Sequence, residues 1–153
     1  MLQAYHDILV AIDDFKAAQQ AFNEAVHIAN LNHGHILLLS VLDIWNKNYE
    51  FDSAKSKDDF TQKIFEQTEK HLTYLQKKAE YLNVPNCDIH IRFGNPKRII
   101  AHDFSQDHHI DLIILAATSR NLLTQITIGS VTDYVIRNAI TDVLTIRTNH
   151  QSS

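Results

Sequence analysis

Apolar runs of strand length alternate with amphipathic stretches along most of this chain. Ile8-Leu-Val-Ala-Ile12 is continuous and apolar, and Asp13-Asp14 ends it. A run apolar on both sides of its pleat reads as a central parallel strand. Residues 16–31 follow with Ala18, Phe22, Ala25, Val26 and Ala29 at helical spacing, and Gly34 stands where a helix C-terminal glycine belongs. His35-Ile-Leu-Leu-Leu-Ser-Val41 is the second strand. Phe60, Ile64, Thr68, Leu72, Leu75, Ala79 and Leu82 line one face of a long helix over 58–82, closed by Pro85. Cys87-Asp-Ile-His-Ile-Arg92 alternates, and its more polar face suggests a sheet edge. Gly94-Asn-Pro96 supplies a turn, an N-cap asparagine and a proline at the first helical position, before a short helix buried through Ile99, Ile100 and Phe104.

The last third repeats the pattern. Asp111 precedes the run Leu112-Ile-Ile-Leu-Ala116, and a polar loop follows. Gly129-Ser130 opens a helix to Asn138, buried through Val131, Tyr134, Val135, Asn138 and Ala139, and Asp142-Val-Leu-Thr-Ile-Arg147 is a fifth strand. Residues 43–57 are polar, with Trp45, Tyr49 and Phe51 embedded. They read as a mobile loop with docked aromatics, the alternative being a lid or partner surface. The alternation implies an α/β fold: an open five-stranded parallel sheet with helices on both faces, Rossmann-like, as one domain over 1–153 with a polar tail at 149–153. Ligands of such sheets bind beyond the carboxyl ends of the strands, where the strand order reverses. Periodicity alone does not give that order.

Composition narrows the function. With 153 residues, 44% apolar and 21% charged, the chain can bury a core and is expected to be soluble. A net charge of −4 with scattered Lys and Arg leaves no basic footprint for nucleic acid. No stretch approaches the roughly 18 apolar residues of a membrane span. The opening Met-Leu-Gln-Ala-Tyr-His-Asp lacks the basic start of a signal peptide, and a single cysteine, Cys87, excludes an internal disulfide. These features fit a cytoplasmic protein.

Catalytic chemistry finds no support. The ten histidines show no zinc-ligand spacing. There is no Gly-x-Ser-x-Gly elbow, Rossmann glycine fingerprint or Walker motif, and Cys87 has no evident base. Asp13-Asp14 could bind Mg²⁺ in a phospho-receiver, but that needs an aspartate ending the third strand and a lysine ending the fifth. Arg92-Phe93-Gly94 and Arg147-Thr148 stand there instead. The remaining candidate is the strand–loop–helix unit over 111–138. A helix amino end leaves backbone N–H groups free, which suits an anion. Ser130 is placed to cap that helix, and Asp13 to cap the one after the first strand. Thr118, Ser119 and Arg120 would add donors in the loop.

An apolar strand ending in small-x-x-small, nine residues, then Gly-Ser-Val-Thr resembles the universal stress protein family. Its ATP-binding members read G-x2-G-x9-G-[S/T]. Here Ala116, Ser119, Gly129 and Ser130 hold those positions, so the last two match and the first two glycines are replaced. Ile8 to Asp13, Leu38 to Val41, Gly94-Asn-Pro96 and Asp111 to Leu115 fall in the family's order. The resemblance implies strand order 3-2-1-4-5, with strands one and four flanking an ATP site, and a binding module rather than an enzyme. Ala11, Ile12, Asp13 and Val41 would lie at its adenine end. Leu115, Ala116, Thr118, Ser119 and Arg120 would form the phosphate loop, and Gly129, Ser130, Val131 and Thr132 the helix amino end. Mg²⁺ would bridge the phosphates to Asp13 or water. It also implies a homodimer through strand five, Asp142 to Arg147, whose apolar edge would otherwise be an association hazard. The alternative is a dimeric interaction module that binds no nucleotide; a third option is at most slow ATP hydrolysis, for which no base is apparent.

Overall fold

The computed structural model describes residues 4–13, 15–43, 54–117 and 129–147. Its sheet is five-stranded, in the order β3-β2-β1-β4-β5. The strands are β1 (Asp7–Ala11), β2 (His35–Leu42), β3 (Cys87–Phe93), β4 (Leu112–Ala117) and β5 (Asp142–Arg147), and every neighbouring pair is parallel. The two faces divide cleanly. Ile8, Val10, Ile36, Leu38, Leu112 and Ile114 point to one core, covered by α1 (Phe15–Asn32) and α2 (Ala54–Tyr81). Leu9, Leu37, Leu39, Ile113 and Leu115 point to the other. That second core is covered by α3 (Pro96–Arg98), a π-helical turn (Ile99–Asp103), α4 (Phe104–Asp107) and α5 (Ser130–Asn138). β1 and the inner part of β4 are thus buried on both faces, which is why their sequences read as unbroken apolar runs.

Parallel strands have no hairpin to set their register. Here a polar device at the amino end does so. Asp111 Oδ2 accepts hydrogen bonds from the backbone N–H groups of His6 and Asp7, each at 2.9 Å. The Asp111 N–H returns to the Asp7 carbonyl at 2.8 Å. Thr141 Oγ1 donates to the Asp111 carbonyl at 2.6 Å, and Tyr5 OH donates to Asp142 Oδ2 at 2.9 Å, which ties in β5. On the other side His35 lies between the carboxylates of Asp7 (3.3 Å) and Asp88 (2.7 Å).

Several local expectations change. The long helix begins at Ala54 rather than 58, so residues 54–57 of the expected loop are helical; residues 44–53 lie outside the described region. Neither glycine nor proline marks that start. At 28 residues α2 runs about 42 Å, against about 23 Å for a seven-residue strand. Among its described side chains Leu72, Leu75 and Ala79, in the second half, are fully buried, while Phe60, Ile64 and Thr68, and Leu82 just beyond its end, are partly so. After α1 the left-handed residue is His33 (φ 53°), not Gly34. Gly34 donates to the Ala29 carbonyl at 2.8 Å, as the second residue of a Schellman cap. Its missing side chain is needed for packing: a Cβ there would sit 3.2 Å from the Tyr5 carbonyl oxygen and 3.3 Å from Ala29 Cα. The same cap recurs at Asn83 with Val84 and at His109 with Ile110. The short helix widens to a π-turn where Ser105 Oγ donates to the Ile100 carbonyl at 2.7 Å. In α5, Val135 and Thr132 are buried while Asn138 is exposed, because the helix turns its Thr132–Val135 side to the sheet.

Three substitutions test this account by urea unfolding. Leu75→Ala, in the closed half of α2, should cost about 2–5 kcal/mol. Asp111→Ala should cost about 1.5–3 kcal/mol through its charge-assisted bonds to the β1 backbone. His33→Gly should instead stabilise, by about 0.4–1 kcal/mol, since glycine adopts that backbone conformation without strain.

Candidate functional site

The strand order makes one break in the chain's progress across the sheet. β1, β2 and β3 step outward on one side; β4 then pairs with the free side of β1, with Ile8 beside Leu112 and Val10 beside Ile114. α1, which follows β1, covers one face of the sheet, and α5, the next described helix after β4, covers the other. At such a reversal of strand order open α/β sheets form a crevice beyond the carboxyl ends of the strands. The end of β1 is held in place. Ile12 N–H donates to the Leu39 carbonyl, and the buried Ser40 Oγ donates to the Ile12 carbonyl, both at 2.8 Å. Ala11 pairs with Leu39, and the same register carried two residues on brings Asp13 level with Val41. Asp13 is exposed and Val41 half-buried. α1 opens at Phe15, so Asp13 does not occupy its N-cap position and the expected capping role is not met.

Between β4 and β5 in the chain lies α5, whose amino end is at Ser130. Gly129 is the N-cap, with φ −59° and ψ 157°, and Ser130 is the first helical residue. The expected Ser130 cap is therefore corrected: the cap needs an extended backbone, which Gly129 has and a helical Ser130 lacks. No side chain among the described residues caps this helix, and Gly129 and Ser130 are both exposed. The first amides of α5 thus have no intrahelical partner. The backbone angle at Gly129 is one that any residue adopts, and a Cβ built there meets no described atom within 4 Å.

The thirteen candidate residues separate by place. Ala11, Ile12 and Leu115 are buried in the two cores, so only their backbone is available at the sheet's end. Ala116 packs its methyl against the α1-side core, Val131 is half-buried, and Thr132 is buried beneath α5. Asp13, Gly129 and Ser130 are exposed and Val41 is half-buried. Thr118, Ser119 and Arg120 lie outside the described residues. Ser40, which holds the end of β1, was not among the expected residues. Its signal is faint: one hydroxyl inside an apolar run. Gly94 N–H, donating to the Leu42 carbonyl at 3.1 Å, extends the wall beside Val41.

The profile described as the universal stress protein family matches residues 4–147. The chain belongs to that family. A Staphylococcus epidermidis protein named for the same family is 33% identical over 146 residues, covering 95% of this chain and 86% of its own. The solved structure of the universal stress protein UspA from Lactobacillus plantarum is 31% identical, with TM-score 0.82 over 95% of this chain and 100% of its own. More distant members show the shared fold. One is a universal stress protein in complex with cAMP (17% identity, TM-score 0.71, 96% and 100% covered). Another is the Archaeoglobus fulgidus protein in complex with dAMP (18%, 0.65, 94% and 99%).

In this universal stress protein Cys87 is buried, and burial first, then the charge of Asp88, pushes its thiol up to about 12. A thiol so placed is no nucleophile at neutral pH. Among the described residues there is no group of three metal-ligating side chains, and no helix is long and apolar enough to cross a membrane.

Cys87 provides a test of pH dependence. Its thiol ionises near 9.0 when unfolded and only about 12 when folded. Its contribution to stability is therefore complete below that lower value and is lost as pH rises through the window between them. At about pH 8 the native protein should resist iodoacetamide, and only unfolded protein should alkylate. Ser40→Ala should cost about 1–3 kcal/mol, because the buried Ile12 carbonyl loses its donor. Native-state labelling of Cys87 at the unfolded rate would contradict this packing.

Proposed function

We propose that this chain binds an adenine nucleotide in the crevice between β1 and β4, as a regulatory module rather than an enzyme. The observation that carries the reading is Gly129. Among the described residues neither its backbone angle nor its surroundings require a glycine. Close approach of a ligand to an uncapped helix amino end does. The phosphates would lie against the first amides of α5 and the Ser130 hydroxyl, with Arg120 and Thr118 as loop donors. The base would lie towards Asp13 and Val41. The residues present fit such a group: the α5 amides offer donors, and Asp13 is an exposed acceptor for a ribose or adenine N–H or O–H, or for Mg²⁺. The cAMP and dAMP bound by distant members of the family are consistent with this chemistry. No acid/base pair accompanies the site among the residues proposed, so the nucleotide acts as a bound signal. The setting we assign is the cytoplasm.

Ala116 favours a second reading. It stands where nucleotide-binding members have a glycine, and its methyl is partly buried against the core. On that reading the module acts through protein contacts alone. Both readings share a homodimer through β5, which among the described residues has no partner strand on its outer side. Ile136 on α5 and Ile140 just before β5 are exposed apolar side chains, at 46% and 57%. Leu144 and Ile146 instead pack partly on the chain's own core, so charge belongs at Ile136 and Ile140 in a test of the dimer.

Calorimetry with Mg-ATP separates the readings. Wild type should bind, and Gly129→Val should weaken binding by about tenfold or more while leaving the unfolding curve nearly unchanged. Arg120→Ala should weaken ATP by about tenfold and adenosine little. Glycine at both 116 and 119 should tighten ATP. No heat with wild type but binding by the double glycine variant would favour the interaction module. Sedimentation should give a dimer for wild type and a folded monomer for the Ile136→Lys, Ile140→Lys variant; a wild-type monomer at micromolar concentration would remove the dimer.

A further inference from the structure

β3 and the helical run over 96–107 enclose a group of rings that the proposed function does not use. His90 lies in the middle of β3, half-buried, and its Nε2 is sealed from water without a hydrogen-bond partner among the described residues. Its ring meets Phe104 edge-on with centroids 5.0 Å apart, and meets His108 at the same separation. His108 stacks on Phe104 at 4.1 Å, and the Arg92 guanidinium lies 5.5 Å from the centre of the Phe104 ring. Phe104 is 2% exposed and anchors α4 to the second core. Two imidazoles and a permanent cation therefore share one aromatic anchor.

We propose that the His90–Phe104–His108 cluster is a proton-operated latch between edge strand β3 and the helical run 96–107. It is closed while the His90 imidazole is neutral. It opens when protonation sets further positive charge beside Arg92. A neutral His90 leaves at most a weakly demanding acceptor at Nε2. A protonated one puts a charged N–H donor in a sealed space with nothing to receive it, which costs far more.

The charged and titratable groups facing His90 are His108 at the end of α4, Arg92 and Asp88 on β3 itself, and His35 on β2. Burial, then His108 and Arg92, hold the His90 imidazole below its usual range, and Asp88 opposes them only in part. Between that lowered value and the ordinary 6.5 the unfolded chain binds more protons than the folded one. The latch is thus fully closed above the ordinary value and weakens as pH falls through the folded one. The run starts two residues after Gly94, whose N–H donates to the Leu42 carbonyl next to Val41. The latch itself does not require that a nucleotide binds.

Amide hydrogen exchange on the full chain tests it, with rates corrected for the intrinsic effect of pH. Between about pH 7.5 and 5.5 the amides of Phe104–Ile110 should lose protection by about tenfold, while those of β1 change little. His90→Phe, which keeps a ring but cannot take a proton, should hold protection at both pH values. Equal changes in wild type and variant, or loss spread evenly over the chain, would overturn the proposal. Should the variant not fold, the wild-type ring signals decide instead. His90 should titrate below a free histidine, and His108→Gln should raise its midpoint. A His90 midpoint at or above the free value would overturn the latch.

Discussion

The carboxylate of Asp111 sets the register on which the far end of the sheet depends. One of its oxygens takes the N–H groups of His6 and Asp7, while its own backbone bonds to Asp7 and receives Thr141. β1, β4 and the start of β5 are thereby aligned at their amino ends. In a parallel sheet a slip of one residue would turn each strand's apolar side chains to the wrong face. Here it would exchange the set of Ile8, Val10 and Ile114 with that of Leu9 and Ile113 between two cores of different shape. The pairing of β1 with β4 is also the reversal of strand order, so the clamp at one end fixes the crevice at the other.

The two ends of the sheet are built from different chemistry. At the amino end, side chains satisfy backbone and one another: Asp111, Thr141, Tyr5 with Asp142, and His35 between Asp7 and Asp88. At the carboxyl end the described polar groups act on or through backbone. Ser40 is turned inward to hold Ile12, and Gly129 leaves the amides of α5 uncovered. The nucleotide we propose would meet the α5 amides, the Ser130 hydroxyl and the Asp13 carboxylate there, with Thr118 and Arg120 as loop donors. Chemistry on the ligand would need a positioned acid or base.

Much of the fold was legible in the sequence because burial on both faces writes a continuous apolar run. β1, β2 and β4 are such runs, and the alternation of Cys87 to Arg92 gave the edge strand. The strand order came only with the resemblance carried by Gly129-Ser130 and its companions, since periodicity says nothing about neighbours. The start of α2 was misjudged because no residue punctuates Ala54, and its first half has few deeply buried positions. His33 was missed as the left-handed residue because glycine next to it has the stronger prior, and here that glycine serves close packing. The candidate site positions came with the same resemblance, not from periodicity. Asp111, Ser40 and the His90 cluster were not legible, because single polar residues beside apolar runs leave no periodic trace and gain meaning only once the strands are adjacent.

The central claim is that the crevice at the β1–β4 reversal receives a nucleotide through α5 backbone amides. Mapping amide chemical shifts during titration with Mg-ATP tests it most directly. The account predicts the largest shifts at Ser130, Val131 and Thr132, with smaller ones at Asp13 and Val41 and none at the amino-end residues around Asp111 and His35. Shifts confined to other surfaces, or a spectrum unchanged at saturating nucleotide, would contradict it.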